Sequence, residues 1–281
     1  MKILMIGGTR FFGKRFVKLI LEQGHSMTLL TRGQSADDFG NTVSRIIADR
    51  TNAQQLKNAV KSDYDLVVDN MLMNAQEANS AISVLSDRIH HFIMTSTLSV
   101  YDPKPGALHE KDFEPIISYP GESYQQGKRS AEHALAHAPF GVSIMRIPVI
   151  VGSDDYTQRL FTHVKAVKEN KKLYFPNPDA KFSYLHAKDA ARALMWLSTD
   201  KPLGVFNIGA PDAWTLRELM ERIGKITGHN FKLGDLTDEP SPFGVEQDYY
   251  MDTSKALKAG FSVDALEKWM PDLIEELSKK A

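Results

Sequence analysis

The feature that most constrains the fold is the stretch ILMIGGTRFFGKRFVKLILEQG near the start of the chain. It predicts a buried strand over residues 2–6, then a helix over 11–23 with apolar residues three or four positions apart. Between them, Gly7 permits a tight turn and Gly13 lets the helix pack closely, while Arg10 stands where a dinucleotide-binding turn usually has its middle glycine. The helix N-terminus would offer unpaired amides to a diphosphate. An ordinary β–α turn, with glycines for geometry alone, is the alternative.

The first half of the chain alternates short apolar runs with amphipathic segments. Near-continuous apolar strands separated by helices indicate a parallel sheet covered on both faces. We therefore predict an α/β fold, a Rossmann-like doubly wound parallel sheet over residues 1–150. The further strands are predicted at 26–31, 45–48, 65–70, 91–97 and 141–147, and the further helices at 53–60, 74–87 and 123–137.

After residue 150 this rhythm changes. A helix over 187–198 and a strand over 204–208 are expected to return to the sheet. The remainder of 151–281 is interrupted and too small for an independent domain, which predicts a substrate-binding cap at the carboxyl edge of the strands. Its helices are predicted at 157–170, 215–228 and 263–279, with irregular chain before the last one.

Composition excludes several classes of function. The 281 residues include no cysteine, so disulfides, thiolate catalysis and cysteine-bound metals are excluded. A net charge of −1 gives no general reason to expect nucleic acid or a membrane surface as partner. We expect no signal peptide or membrane span, and hence a cytoplasmic protein. The acidic and histidine residues at 109, 110 and 112 match no standard metal spacing, so no metal is expected.

The end of the second strand bears on cofactor choice. An NAD site usually has an acid at this point, which accepts from the adenosine 2′-hydroxyl. Here Thr31 and Arg32 take its place. An arginine pairs with a 2′-phosphate where an acid would repel it, and Arg10, in the loop after the first strand, could contribute to the same pocket. The cofactor prediction is therefore NADP, with NAD as the weaker alternative, unless Arg32 is only a solvated loop residue.

A possible acid–base pair lies on the helix at 123–137. Tyr124 and Lys128 are four residues apart and so share one helix face. An ammonium beside a phenol lowers the pKa of the phenol, which suits proton transfer near neutral pH. Such a pair occurs often by chance, but here it follows a strand that ends in the hydroxyl cluster TST.

Taken together, five motifs resemble one known family. GGTRFFG, TSTLSVYD, YQQGKRSAEHAL, MRIPVIVG and FSYLHAKDAARAL stand in the order found in the extended short-chain dehydrogenase/reductases, the NAD(P)-dependent epimerase/dehydratase group. The resemblance extends from residue 2 to about residue 273. It implies a nicotinamide-dependent enzyme in which Thr97 binds the substrate oxygen, Tyr124 exchanges its proton, and Lys128 holds the nicotinamide ribose and tunes Tyr124.

The same resemblance extends the cofactor site beyond the glycine turn. It implies an adenine contact after the third strand, a ribose contact after the fourth, and flanking of the nicotinamide after the sixth. The predicted cofactor residues are Gly7, Thr9, Arg10, Phe11, Phe12, Gly13, Thr31, Arg32, Asp49, Arg50, Asn70, Met71, Leu72, Lys128, Ile147 and Pro148.

Two departures from the family concern the substrate. Sugar-nucleotide members typically have an asparagine where this chain has Val149, and often an arginine where it has Phe182. Thr97, Tyr124, Val149 and Phe182 are the predicted substrate contacts. Without the amide and the guanidinium, a UDP-sugar held in the usual manner is disfavoured; Lys181 and Arg159 are the candidates to replace them. Dehydration is the least favoured reaction, because no acid follows Thr97.

These observations leave two classes of function. The first is an NADP-dependent reductase or epimerase for a small hydroxyl or carbonyl compound or a sugar derivative. The second is a non-catalytic nucleotide-sensing or RNA-binding protein, because GGTRFFG and the later TRG also resemble a branch containing chloroplast stem-loop RNA-binding proteins. In the family, the helices equivalent to 74–87 and 123–137 often pair between subunits, which predicts a homodimer.

Overall fold

The computed structural model describes residues 1–115 and 123–281. The strands are β1 (Lys2–Ile6), β2 (Ser26–Thr31), β3 (Ser44–Ile47), β4 (Leu66–Asp69), β5 (His91–Thr97), β6 (Gly141–Ile147), β7 (Val149–Val151), β8 (Lys172–Tyr174), β9 (Lys181–Phe182), β10 (Tyr184–His186), β11 (Gly204–Asn207), β12 (Trp214–Thr215), β13 (Lys232–Leu233) and β14 (Glu239–Pro240). The α-helices are α1 (Phe11–Glu22), α2 (Ala53–Ala59), α3 (Ala75–Leu85), α4 (Tyr124–Leu135), α5 (Arg159–Lys168), α6 (Ala187–Thr199), α7 (Leu216–Thr227), α8 (Ser254–Lys258) and α9 (Met270–Ser278).

The chain folds into two compact units. The first unit comprises Met1–Tyr101, Glu110–Ile147 and Lys188–Ile208. The second unit comprises Asp102–His109, Pro148–Ala187 and Gly209–Ala281.

A seven-stranded parallel sheet forms the centre of the first unit. Its order is β11-β6-β5-β4-β1-β2-β3, and every neighbouring pair is parallel. The order reverses between β1 and β4, and ligands bind outside the carboxyl ends of the strands at such a reversal. The predicted Rossmann-like α/β fold is confirmed.

Apolar packing covers the sheet of the first unit. On one face, Leu4 and Ile6 of β1 share a buried cluster with residues of α2, α3 and α4. The alternating side chains, Ile3 and Met5, are also fully buried, as both faces of a doubly wound sheet require. Asn52, Asn74 and Ser123 each accept a backbone N–H at the start of α2, α3 and α4, which fixes where these helices begin.

Three helices, α5, α7 and α9, surround the core of the second unit, together with short strands. Helix α7 begins with a capping box between Thr215 and Glu218 and ends at Gly228, which has a φ of 73°. The pairings are β7 with β10, β9 with β12, and β13 and β14 on either side of β8. A role for this unit in substrate binding stays a prediction.

The prediction of a final helix over 263–279 was wrong at its start. Helix α9 begins at Met270, and Leu266–Lys268 form a short 3-10 turn instead. Pro271 explains the difference, because proline lacks an N–H and is tolerated only in the first turn of a helix. The stretch predicted as irregular before it contains β13, β14 and α8.

Candidate functional site

The glycine turn after β1 leaves little room for side chains. Gly7 and Gly8 have φ values of 94° and 93°, which other residues rarely adopt. A Cβ atom on Gly8 would lie 2.5 Å from the Met5 sulfur, and one on Gly13 would lie 3.0 Å from the Gly8 Cα. The turn therefore brings bare backbone close to whatever binds over it.

The start of α1 differs from the side-chain-capped helices. Arg10 occupies the N-cap position without capping through its side chain, and the first turn holds no acid. Arg10, Phe11 and Phe12 follow Thr9 in the turn, and the Phe11 and Phe12 rings pack edge to face at 6.1 Å. Backbone amides and the positive end of the helix dipole are thus directed at the turn, and the cradle fits a dinucleotide diphosphate.

The end of β2 carries an exposed cation whose charge acts on the Asp49 carboxylate. Thr31 Oγ1 accepts from the Gly33 backbone N–H at 3.2 Å, which shapes the turn. Arg32 is exposed and has no hydrogen bond or ion pair with a described residue. In contrast, Lys14 and Lys18 both contact Asp38, and Arg45 binds Asp37 through two hydrogen bonds. Arg32 therefore presents an exposed guanidinium at the carboxyl edge of the sheet.

After β3, Asp49 and Arg50 are oriented differently. Hydrogen bonds from Thr51 hold the pKa of Asp49 below its usual range, and the charge of Arg32 contributes. The Arg50 guanidinium is buried and binds Asp69 and Glu77. Because Arg50 is buried, Asp49 is the residue of this turn that remains for a cofactor contact, and that contact stays a prediction.

The segment after β4 lies against the glycine turn. Asn70 Oδ1 accepts from Thr95 Oγ1 at 2.6 Å, and its amide nitrogen would lie 3.2 Å from a Cβ on Gly13. Met71 is half exposed, and its Cγ would lie 3.1 Å from a Cβ on Gly7, whereas Leu72 is buried. The structure thus brings the predicted ribose segment beside the predicted diphosphate turn.

The three hydroxyls at the end of β5 make different hydrogen bonds. Thr95 donates to Asn70, and Ser96 donates to the buried carboxylate of Glu132. Thr97 ends the strand and accepts from the Ser99 backbone N–H at 3.1 Å. Of the three hydroxyls, Thr97 alone is not used as a donor in a described hydrogen bond, and its role in binding the substrate oxygen stays a prediction.

Helix α4 places Tyr124 and Lys128 one turn apart. Tyr124 is half exposed in the first turn, whereas Lys128 is buried. The Lys128 ammonium donates to the carbonyls of Leu72 at 2.6 Å and Thr95 at 3.0 Å, and lies 5.9 Å from the centre of the Tyr124 ring. It therefore connects the ends of β4 and β5 to the helix that carries the phenol.

Burial makes Lys128 an unusual lysine. Desolvation lowers its pKa to about 8, and the positive charge of Arg50 acts in the same direction. The carboxylates of Asp69, Glu132 and Glu77 oppose this effect. A lysine with a pKa near 8 is poised to respond to its surroundings near neutral pH.

The remaining predicted residues lie elsewhere. Ile147 ends β6 in the first unit and is buried. In the second unit, Pro148 precedes Val149, which starts β7 and pairs with Tyr184. Phe182 is 5% exposed and packs against three aromatic rings, whereas its neighbour Lys181 is exposed. The predicted substrate contact of Phe182 thus comes from a core side chain and stays untested.

Other predicted features concern metals, membranes and pairing. Residues 1–115 and 123–281 contain no group of three or more potential metal ligands from histidine, aspartate and glutamate, and no helix long and apolar enough to span a membrane. His109 lies 3.7 Å from Asp252, while Glu110 accepts from the Asn207 backbone. The exposed positions of α3 include Gln76, Asn79 and Ser83. A homodimer through α3 and α4 stays a prediction.

Sequence reasoning missed Gly8, Asp69 and Glu77. The doubled glycine GG was a visible signal for Gly8. Asp69 ends an apolar strand, where a buried acid is unusual enough to attract notice. Glu77 is three residues after the N-cap Asn74, so it reads as an ordinary first-turn acid, and the sequence held no signal for its contact with Arg50.

Comparisons with known proteins identify what most of the chain is similar to. The model of the NAD dependent epimerase/dehydratase family matches residues 3–209. An Arabidopsis thaliana relative, chloroplast stem-loop binding protein of 41 kDa b, is 26% identical over 81% of this chain, and the chain spans 63% of that relative.

Among solved structures, Bacillus cereus UDP-N-acetylglucosamine 4-epimerase is 24% identical, with a TM-score of 0.75 over 100% of this chain and 99% of that one. Bacillus anthracis dTDP-glucose 4,6-dehydratase, in complex with NAD, is 19% identical, with a TM-score of 0.78 over 99% of this chain and 97% of that one. These likenesses establish the fold.

Proposed function

Because the chain belongs to the NAD-dependent epimerase/dehydratase family, we propose that it is an NADP-dependent oxidoreductase or epimerase. Its substrate is a small hydroxyl or carbonyl compound or a sugar derivative. The observation that carries this proposal is the buried Lys128 ammonium, fixed by two carbonyls beside the glycine turn and 5.9 Å from the Tyr124 ring. The family's acid–base chemistry requires such an ammonium beside the phenol.

In this proposal each side chain has one task. The Thr97 hydroxyl donates a hydrogen bond to the substrate oxygen, and the Tyr124 phenol exchanges its proton with that oxygen. The Lys128 charge stabilises the phenolate that remains at Tyr124. When bound, the nicotinamide supplies or accepts the hydride. Epimerisation differs from reduction in that the hydride returns to the same substrate.

The choice of NADP rests on Arg32. Thr31 stands where an acid would repel a 2′-phosphate, and Arg32 is exposed and makes no hydrogen bond or ion pair with a described residue, although its charge acts on Asp49. We expect Arg32→Ser to weaken NADPH binding about tenfold and to leave NADH binding unchanged, measured by calorimetry. Arg45→Ser is the matched control, because its guanidinium is already bound to Asp37. Tighter binding of NADH than NADPH by the unmodified protein would overturn the cofactor assignment.

A substrate screen that follows net NADPH oxidation tests for reduction, and chromatographic separation of substrate and product tests for epimerisation, in which the hydride returns and the cofactor is not consumed. The screen includes UDP-glucose, for which we expect no turnover, because Val149 and Phe182 replace the family's amide and guanidinium. With the substrate identified, Tyr124→Phe is expected to lower kcat at least about 100-fold, since general acid–base catalysis typically contributes that much. Undiminished turnover would remove Tyr124 from the mechanism.

A second candidate is RNA binding without turnover, favoured by the relative that is named as a stem-loop binding protein. A gel-shift series with a stem-loop RNA at increasing salt separates the two functions. Tight binding that weakens steeply with salt supports the RNA function. Absence of RNA binding, together with conversion of a substrate, supports the enzyme.

A further inference from the structure

We propose that Arg50 is a positioning residue for Lys128, acting through the backbone of residues 71–73. The inference rests on the proposed function, because it gives Arg50 a role in the same site. The resemblance assigned Arg50 to adenine binding, but its guanidinium is buried between two carboxylates.

The first step is the double contact of the guanidinium. One nitrogen of Arg50 donates to Asp69 Oδ2 at 2.7 Å, at the end of β4, and the other donates to Glu77 Oε2, in the first turn of α3. Arg50 itself follows β3. One planar group thus fixes the relative positions of a strand end and a helix start, a geometry that a lysine cannot reproduce.

The second step passes from the carboxylates to the backbone. Asp69 Oδ1 accepts the N–H of Met71 at 2.8 Å, and Glu77 Oε2 accepts the N–H of Met73 at 2.9 Å. The peptide between these anchored residues presents the Leu72 carbonyl, which receives the Lys128 ammonium at 2.6 Å. Residues 71–73 lie outside any helix or strand, so these two carboxylates replace the ladder hydrogen bonds that the segment lacks.

The third step concerns the helix that carries Lys128. A Cβ atom on Gly127 would lie 2.6 Å from the Met73 carbonyl oxygen, so α4 rests directly on the anchored segment. A displacement of residues 71–73 would therefore move the acceptor of Lys128 and the support of α4 together.

Charge balance gives the same assignment. The charged groups that face Lys128 are Asp69 from β4, Glu77 from α3, Glu132 from α4 and Arg50 from the turn after β3. Without Arg50, Asp69 and Glu77 would lose the cation to which both are hydrogen-bonded and would keep only the charge of Lys128, an imbalance that favours movement or protonation.

The test uses the full chain and reads the segment by NMR, without cofactor or substrate. In Arg50→Met we expect exchange protection of the Met71 and Met73 amides to fall at least about tenfold. The ¹³Cε signal of Lys128, assigned by its absence in Lys128→Met, is expected to titrate at a higher pH, because the nearby carboxylates are no longer neutralised. Arg50→Lys keeps the charge but not the fork, and should lose protection of at least one of the two amides.

The matched control is Leu85→Ala, which creates a cavity at the far end of α3 without touching these hydrogen bonds. The positioning role is refuted if Arg50→Met and Arg50→Lys change the exchange protection of the Met71 and Met73 amides, and the pH at which Lys128 titrates, no more than Leu85→Ala does. If Arg50→Met does not fold, Arg50→Lys decides by the same criterion. Calorimetry with NADPH is performed in parallel, so failure of the unmodified protein to bind NADPH counts against the proposed function alone.

Discussion

The two units bury different kinds of side chain. In the described chain, the charged residues that are buried as whole residues all belong to the first unit: Arg50, Asp69, Lys128, Glu132 and Arg146. The polar residues buried in the second unit are His163, Ser183 and Ser241, and its core is otherwise apolar. Charge is expensive to bury, whereas neutral rings and aliphatic side chains are not.

This difference shows that the first unit, and not the second, carries the free-energy cost of burying charged side chains. Arg146 is completely buried and binds Glu132, the Tyr101 hydroxyl and the carbonyls of Glu110 and Phe113. A comparable set of contacts in the second unit is made by neutral groups, with His163 bound to Ser241 and stacked on a phenylalanine. The unit that carries the candidate site is thus the one held together by charges that cannot be removed singly.

The largest expected effect comes from breaking one buried pair in the first unit. Arg146→Met leaves the Glu132 carboxylate buried without its partner, which should lower the free energy of unfolding by about 3–5 kcal/mol. Urea unfolding followed by circular dichroism measures the change. Arg217→Met is the control in the second unit, since it removes only an exposed pair with Asp179, and it should leave the midpoint unchanged. Equal losses of unfolding free energy in the two variants would contradict the conclusion that the first unit depends more strongly on its ion pairs.

In the second unit, low pH should reduce stability through the buried, neutral imidazole of His163. Burial lowers the pKa of His163 to about 4, so between pH 6.5 and pH 4 the unfolded chain binds the extra proton. Stability is therefore lost as the pH falls through this window, by about 3 kcal/mol from this residue. His163→Phe keeps a ring against Phe243 and should lose less stability between pH 7 and pH 4 in the same urea assay. A variant as acid-sensitive as the unmodified protein contradicts the assignment.

The first unit should respond at the alkaline end. Because the folded pKa of Lys128 is about 8 and that of a free lysine is about 10.5, the unfolded chain binds more protons between these values. The free energy of unfolding should rise by about 3 kcal/mol across this window, and the rise should be absent in Lys128→Met. Urea titrations at pH 7.5, 8.5 and 9.5 give the slope. Parallel slopes would show that Lys128 titrates normally.

A small local effect completes the comparison. Thr215→Ala removes the side chain that accepts the Glu218 N–H at the start of α7, which should cost about 1 kcal/mol. Glu218→Gln preserves the capping box and serves as the control. A loss as large as that of Arg146→Met would mean that the second unit depends on polar contacts as strongly as the first.

The sheet was accessible from sequence because burial on both faces leaves an unmistakable pattern. Four strands, β1, β2, β5 and β6, begin and end where predicted, and each contains a short apolar stretch. The strands β8, β9, β12, β13 and β14 have two or three residues, too few to show a period, and were not predicted. Pro271 was visible, but the apolar spacing before it masked its effect on α9.

The candidate site was accessible only in part. The spacing of Tyr124 and Lys128 follows from helical geometry, and their sharing of one face could be stated from sequence. The partners of Arg50 lie 19 and 27 residues away on other elements, and nothing local distinguishes Arg50 from the solvated arginines around it. Long-range pairing of this kind is set by the strand order, which sequence periodicity does not specify.

The strand order also has a consequence for synthesis on the ribosome. Strand β11 pairs with β6, yet it follows β6 in sequence by the whole length of Pro148–Ala187 and α6. At translation rates of about 5–20 residues per second, the outer edge of β6 is exposed for several seconds before its neighbour is made. An unpaired edge is a template for association with other chains. If the ribosome released the chain between α6 and β11, the product would therefore have six strands of the sheet, with the β6 edge open to pairing with another chain.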